Sequence, residues 1–134
     1  MNMGFTWNVI EKSLEGLSTR FRATSGNLAN ANTPGFARRN VSFENELRDV
    51  INSDRRLSMT TTNSGHIPSR SRSVADVTPR EIRVNDEMYR LDGNNVDPER
   101  EMAIMAQTRM MYNAMTRYAA RRVSSLRTAI SGRL

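Results

Sequence analysis

The chain has 134 residues, one domain's worth, and its hydrophobic fraction of 37% with a mean hydropathy of −0.62 leaves little apolar surface for a self-sufficient core. The net charge of +6 comes almost wholly from arginine, Lys12 being the sole lysine, and it raises the question of nucleic acid or another acidic partner. Cysteine is absent and His66 is the only histidine, which excludes disulfides, thiolate metal sites and cysteine catalysis, and no apolar run of about 18 residues offers a membrane span.

The arginines are spread rather than clustered. Arg38-Arg39, Arg55-Arg56, Arg70/Arg72 and Arg121-Arg122 are separate pairs with few aromatics between them, whereas single-strand binding needs interleaved rings as stacking platforms. The N-terminus lacks the basic-then-apolar pattern of a cleaved signal peptide, so export, if it occurs, is expected by another route.

From Trp7 to Ala31 a heptad seam runs through Ile10, Leu14, Leu17, Phe21, Thr24, Leu28 and Ala31, which predicts an amphipathic helix. Small Thr24 and Ala31 would let a neighbouring backbone approach. The helix should stop at Pro34, which disfavours the helical conformation at Thr33, and Pro34-Gly35 suits the two central positions of a type II turn. Asn27, Asn30 and Asn32 gather donor-acceptor amides beside that corner, where helix propensity alone would not choose them. These amides are expected to bond to backbone across the corner or between subunits.

Beyond the corner, Val41 and Phe43 alternate weakly and suggest a short extended segment. A short helix over 43–52 follows from Phe43, Leu47 and Val50/Ile51, with Ser42 as its N-cap. From Asp54 to Thr78 polar residues dominate around scattered anchors Leu57, Met59, Ile67, Val74 and Val77, too few to fold alone. His66 is expected in a solvated loop. Ile82 and Val84 alternate with Glu81 and Arg83 as a second candidate strand, before Met88-Tyr89.

Leu91 to Glu101 reads LDGNNVDPERE. Asp92-Gly93 and the paired asparagines, Asn95 among them, specify a tight turn that leads through Val96 to Asp97 as N-cap and Pro98 at the first helical position. The helix that follows carries Met102, Met105/Ala106, Tyr112, Met115, Ala119, Val123, Leu126 and Ile130 on one broad stripe, and should extend for roughly 50 Å. Met110, Met111 and Tyr118 lie off the stripe, which implies more than one neighbour for this helix. Acidic residues near its start, Asp97, Glu99 and Glu101, are read as complementing the helix dipole, and no nucleophile with a base or phosphate loop accompanies them.

The corner Ser25-Gly26-Asn27-Leu28-Ala29-Asn30-Ala31-Asn32-Thr33-Pro34-Gly35-Phe36 closely resembles the signature shared by the axial proteins of the bacterial flagellum, its rod and hook components. Leu91 to Glu101 and Ser64-Gly65-His66-Ile67-Pro68 look like segments of the proximal rod members of that family. The resemblance covers nearly the full chain and is densest over 13–44 and 91–131. It implies a non-enzymatic structural subunit, without cofactor or metal, in a helically arranged tube that serves as drive shaft and export channel. The fold it implies is mainly α. Two long terminal helices would pack as an antiparallel coiled-coil-like pair around an extended, partly β or irregular middle segment.

Residues 1–35 and 91–134 would then form one assembly domain and 36–90 a middle region. Implied partners are other rod subunits, the rod-to-ring adaptor, the membrane-anchored ring protein and the flagellar type III export gate. The implied site is the periplasmic part of the basal body, reached unfolded and uncleaved. Two departures stand out: Phe36 occupies a position where a tyrosine is common, and Pro98 fixes a helix start that the family does not generally fix with proline. Residues expected to carry assembly are Ile10, Leu14, Leu17, Phe21 and Leu28 on the first helix; Asn27, Asn30, Asn32, Pro34, Gly35 and Phe36 at the first corner; Asp92, Gly93, Asn95 and Val96 at the second; and Met105, Tyr112, Met115, Val123, Leu126 and Ile130 on the last helix. The alternative from the arginine content is a nucleic-acid-binding protein.

Overall fold

A computed structural model describes residues 3–54, 73–85 and 90–132. The expectations for Leu57, Met59, His66, Ile67, Met88 and Tyr89 lie outside the described residues. The order of elements is helix α1 (Met3–Ala29), strand β1 (Arg39–Ser42), helix α2 (Glu44–Asp54), a single 3₁₀ turn (Val74–Asp76), strand β2 (Arg80–Arg83) and helix α3 (Pro98–Ser131).

The two long helices pack against each other in antiparallel fashion. Asn27 near the end of α1 meets Glu101 in the first turns of α3, and Leu17, farther back along α1, packs with Phe43 in a cluster that Met115, farther along α3, joins. On α1 the deeply buried column is Ile10, Leu17 and Thr24, one residue per heptad, and Ala31 continues it just beyond the helix end. Leu14 and Leu28 are only half-buried and Phe21 is 40% exposed, which corrects its place in the seam. Phe21 turns outward because β1 and Phe43 cover the Gly16-Leu17-Ala23 side of the helix. A Cβ at Gly16 would lie 2.6 Å from the Phe43 ring, so the absence of a side chain there is what lets Phe43 sit on the helix.

On α3 the apolar stripe read from spacing is mostly not the face that meets α1. The buried residues are Glu101 and Thr108, with Met105, Met115, Ala119 and Leu126 half-buried, whereas Met102, Tyr112, Val123 and Ile130 are exposed. The centre of the α3 seam is the heptad column Glu101, Thr108, Met115, Arg122, three of whose four members are polar.

The described part of the middle region leans on α1. β1 and β2 form a two-stranded antiparallel ribbon pairing Arg39 with Arg83 and Ser42 with Arg80. Such a ribbon is marginal by itself, and Val41 anchors it by pointing into the Leu17–Phe43 cluster. α2 starts at Glu44. The Leu47 N–H bonds to the Phe43 carbonyl, so Phe43, not Ser42, takes the cap position, and Ser42 ends β1. Leu47 and Val50 then pack with Val74 and Val77 beneath Phe5, Val9 and Ile51. Ser73 and Asp76 close a reciprocal capping box around the 3₁₀ turn.

Candidate functional site

The two corners predicted from sequence close on each other. Thr33 to Phe36 form the turn around Pro34-Gly35, with the Phe36 N–H bonded to the Thr33 carbonyl and Gly35 at φ 69°. A positive φ at the third turn position is the type II signature, and glycine takes it without a Cβ penalty. Across the joint the Gly35 N–H donates to the Asp92 carbonyl at 3.0 Å and the Asn95 N–H to the Phe36 carbonyl at 3.4 Å. Gly93, also at positive φ, brings its backbone against Gly35: a Cβ there would lie 3.6 Å from the Gly35 Cα.

Three buried asparagines stitch this joint by using side-chain amides as extra peptide groups. Asn27 accepts from the Arg39 N–H at 2.9 Å and donates to the Arg39 carbonyl at 2.7 Å and to Glu101 Oε2 at 3.0 Å. Asn95 accepts from the Arg38 N–H and donates to the Val84 carbonyl, joining the ends of the two strand segments. Asn94 donates to the carbonyls of Asn30, Ala31 and Thr33, while its own Oδ1 accepts from the Val96 N–H. The last carbonyls of a helix have no partner within it. Here the carbonyls of Gly26, Asn27 and Leu28 are taken by the N–H groups of Asn30 and Ala31, the turn beyond the helix is held by the amide of Asn94 from the far corner, and Arg90 adds a cation on the Ala31 carbonyl and Asn32 Oδ1.

The other two asparagines do less. Asn30 donates back to Gly26 O in its own helix and accepts from the Thr33 hydroxyl; Asn32 is exposed and accepts from Arg90. Asp97 caps α3 through the N–H groups of Glu99 and Arg100, with Pro98 at the helix start.

At the centre sits a charged pair that sequence reasoning missed. Glu101, 1% exposed, accepts from Arg38 Nε at 2.5 Å and from Asn27, and Arg38 is buried with it. Glu101 thus does more than complement the helix dipole, and Arg38, one of the scattered arginines, has its acidic partner within the chain. Charge type gave no clue here, though position did: Glu101 sits at the fourth helical position behind a firm cap, on the face that continues to Thr108 and Met115.

Flanking the joint, much apolar surface stays open. A groove of about 400 Å³ beside the helical pair is lined by Leu17, Phe21, Thr108, Arg109 and Tyr112, and one of about 450 Å³ on the other side by Phe43, Leu47, Ile51, Met111 and Met115. Met110, Tyr118 and Leu91 are exposed as well. Among the described residues no helix is long and apolar enough to cross a membrane, and no group of His, Asp and Glu has metal-binding geometry.

No family profile matches the chain. Curated relatives do: a flagellar basal body rod protein FlgB of Borreliella burgdorferi is 33% identical over 116 residues, 84% of this chain and 86% of that protein. That of Bacillus subtilis is 30% identical over 123 residues, 92% of this chain and 91% of its own length, and that of Salmonella typhimurium is 34% identical over 106 residues, 76% and 75%.

The chain belongs to the FlgB family of flagellar basal body rod proteins.

It is thus a structural subunit of the flagellar basal body rod, alongside other rod proteins. FlgB membership gives the open grooves and the clasped corners a common context, that of a chain built into a larger structure. The arginine content has a structural explanation in part: Arg38 serves Glu101, Arg20 serves Glu44 and Arg39 lies 3.8 Å from Glu81. Nothing supports the nucleic-acid alternative.

Proposed function

We propose that the double corner is the joint that sets the angle of the α1–α3 pair in the rod, and that the exposed apolar residues of both helices are the surfaces by which each subunit meets its neighbours. The observation that carries this is the contrast between a fully bonded, buried polar joint and long helices whose Phe21, Tyr112, Val123 and Ile130 remain uncovered in the single chain. Apolar exposure on this scale, rimmed by polar residues, marks interaction surfaces. Asn27, Pro34, Gly35, Phe36, Asp92, Gly93, Asn95 and Val96 belong to the joint, and Ile10, Leu14, Leu17, Leu28, Met105, Met115 and Leu126 to the pair and its grooves. The role is architectural and involves no catalysis.

In this reading the chain reaches the periplasmic base of the rod through the type III export gate. There it meets the membrane-anchored ring and the rod-to-ring adaptor as well as other rod subunits. Gly35→Val tests the joint. A β-branched residue is strained at φ 69°, and the turn must open. Motility should be abolished and isolated basal bodies should lack rods; normal swimming with intact rods would overturn the reading.

A further inference from the structure

The end of the helical pair farthest from the joint is built differently. Thr6 lies three heptads before Asn27 and Arg122 three heptads after Glu101, so the antiparallel packing carries both toward that end. Among the described residues, Thr6, 9% exposed, has no hydrogen-bond partner for Oγ1, and the buried Nε of Arg122 has none either. Buried polar groups are nearly always bonded, so an orphan donor calls for an explanation.

The chain itself shows how it buries an arginine. Arg38 has Glu101 at 2.5 Å, in the same seam column that Arg122 occupies three heptads later without a carboxylate. None could come from α3, because no Asp or Glu occurs between Met102 and Gly132, a stretch that holds Arg109, Arg117, Arg121, Arg122 and Arg127. Beside Arg122, Val123, Leu126 and Ile130 line an open apolar strip, with Val123 and Ile130 exposed.

We propose that the distal third of α3 is a docking surface for a carboxylate-bearing apolar helix of a different rod subunit. Its Asp or Glu inserts onto Arg122 and its apolar face covers Val123, Leu126 and Ile130. A second copy packing through its own α3 would bring arginine against arginine, and one packing through Glu11 or Glu15 of its α1 would instead give revertants within this chain. A flat anionic surface does not deliver an acceptor to a buried Nε, whereas a side-chain carboxylate matches the planar guanidinium. The inference rests on the rod reading above.

The test uses the full chain. Arg122→Gln removes no recorded bond within the chain, so the thermal midpoint of the purified protein should be unchanged, while intact rods per cell should fall about tenfold or more, as truncating one side of a buried charge pair at an interface does. Motile revertants of Arg122→Glu should carry an Asp or Glu to Lys or Arg change in another rod subunit. Normal rod numbers in Arg122→Gln, a lowered midpoint, or revertants confined to this chain would each overturn the docking proposal. The rod reading fails separately, if basal bodies from unmutated cells lack this chain.

Discussion

Glu44 shows how a single half-exposed residue ties two elements together. Both Arg20 terminal nitrogens reach its carboxylate, at 2.5 and 2.6 Å, while one of them also bonds the Val41 carbonyl and the guanidinium lies 5.1 Å from the centre of the Phe43 ring. Burial works to raise the Glu44 pKa, but the Arg20 hydrogen bond and charge, with the backbone N–H groups of Glu44 and Phe43, outweigh it and hold it below the ordinary value of 4.5. A carboxylate with a lower pKa folded than unfolded contributes stability above the unfolded value, and that contribution is lost as pH falls through the folded one. The thermal midpoint should accordingly drop on acidification below 4.5, and Glu44→Gln should remove part of that slope. Superimposable midpoint-against-pH curves for the two proteins would refute this. The pairing was not visible in the sequence, since Arg20 and Glu44 sit 24 residues apart with a corner and a strand between them.

At the scale of the helices, legibility followed the source of the signal. Caps and turns are local chemistry, so Asp97, Pro98 and the Pro34-Gly35 turn could be read directly. The seam of α3 could not: hydrophobic spacing selects Tyr112, Val123 and Ile130, which are exposed, and passes over Glu101 and Thr108, which are buried. Gly16 was passed over as well, although a glycine inside a heptad pattern marks close approach. Gly16→Ala gains about 0.5–1 kcal/mol of helix propensity but forces the Phe43 ring away from a Cβ at 2.6 Å, and overpacking of that kind costs about 1–3 kcal/mol. Destabilisation should win. Gly26→Ala, with nothing within 4 Å, should instead stabilise. Urea midpoints of both variants check the pair, and a stabilised Gly16→Ala would show that Phe43 is not held by that gap.

Across the whole molecule, Glu101 links segments that have no neighbouring chain in common. Its partner Arg38 is 63 residues away and its partner Asn27 is 74 away. Glu101→Ala takes the carboxylate away from the buried Arg38 guanidinium and removes one of the two bonds that the Asn27 amide donates, a loss of about 3–5 kcal/mol by the behaviour of other broken buried pairs. Hydrogen exchange should quicken at β1 and at the start of α3 together; faster exchange in α3 alone would mean that the pair does not couple them. The general architecture, two long terminal helices packed together, was legible because it depends on pattern over long stretches. The joint was half legible, its turns plain and its buried charges hidden. Asn94 adds a consequence in time. It holds the corner that follows α1 from 64 residues downstream of Asn30, and closing a loop of that length costs chain entropy before any bond forms. Long-range contacts of this sort slow folding. The last turn of α1 closes through its own local bonds, while the corner that follows it is completed only when the second corner meets it.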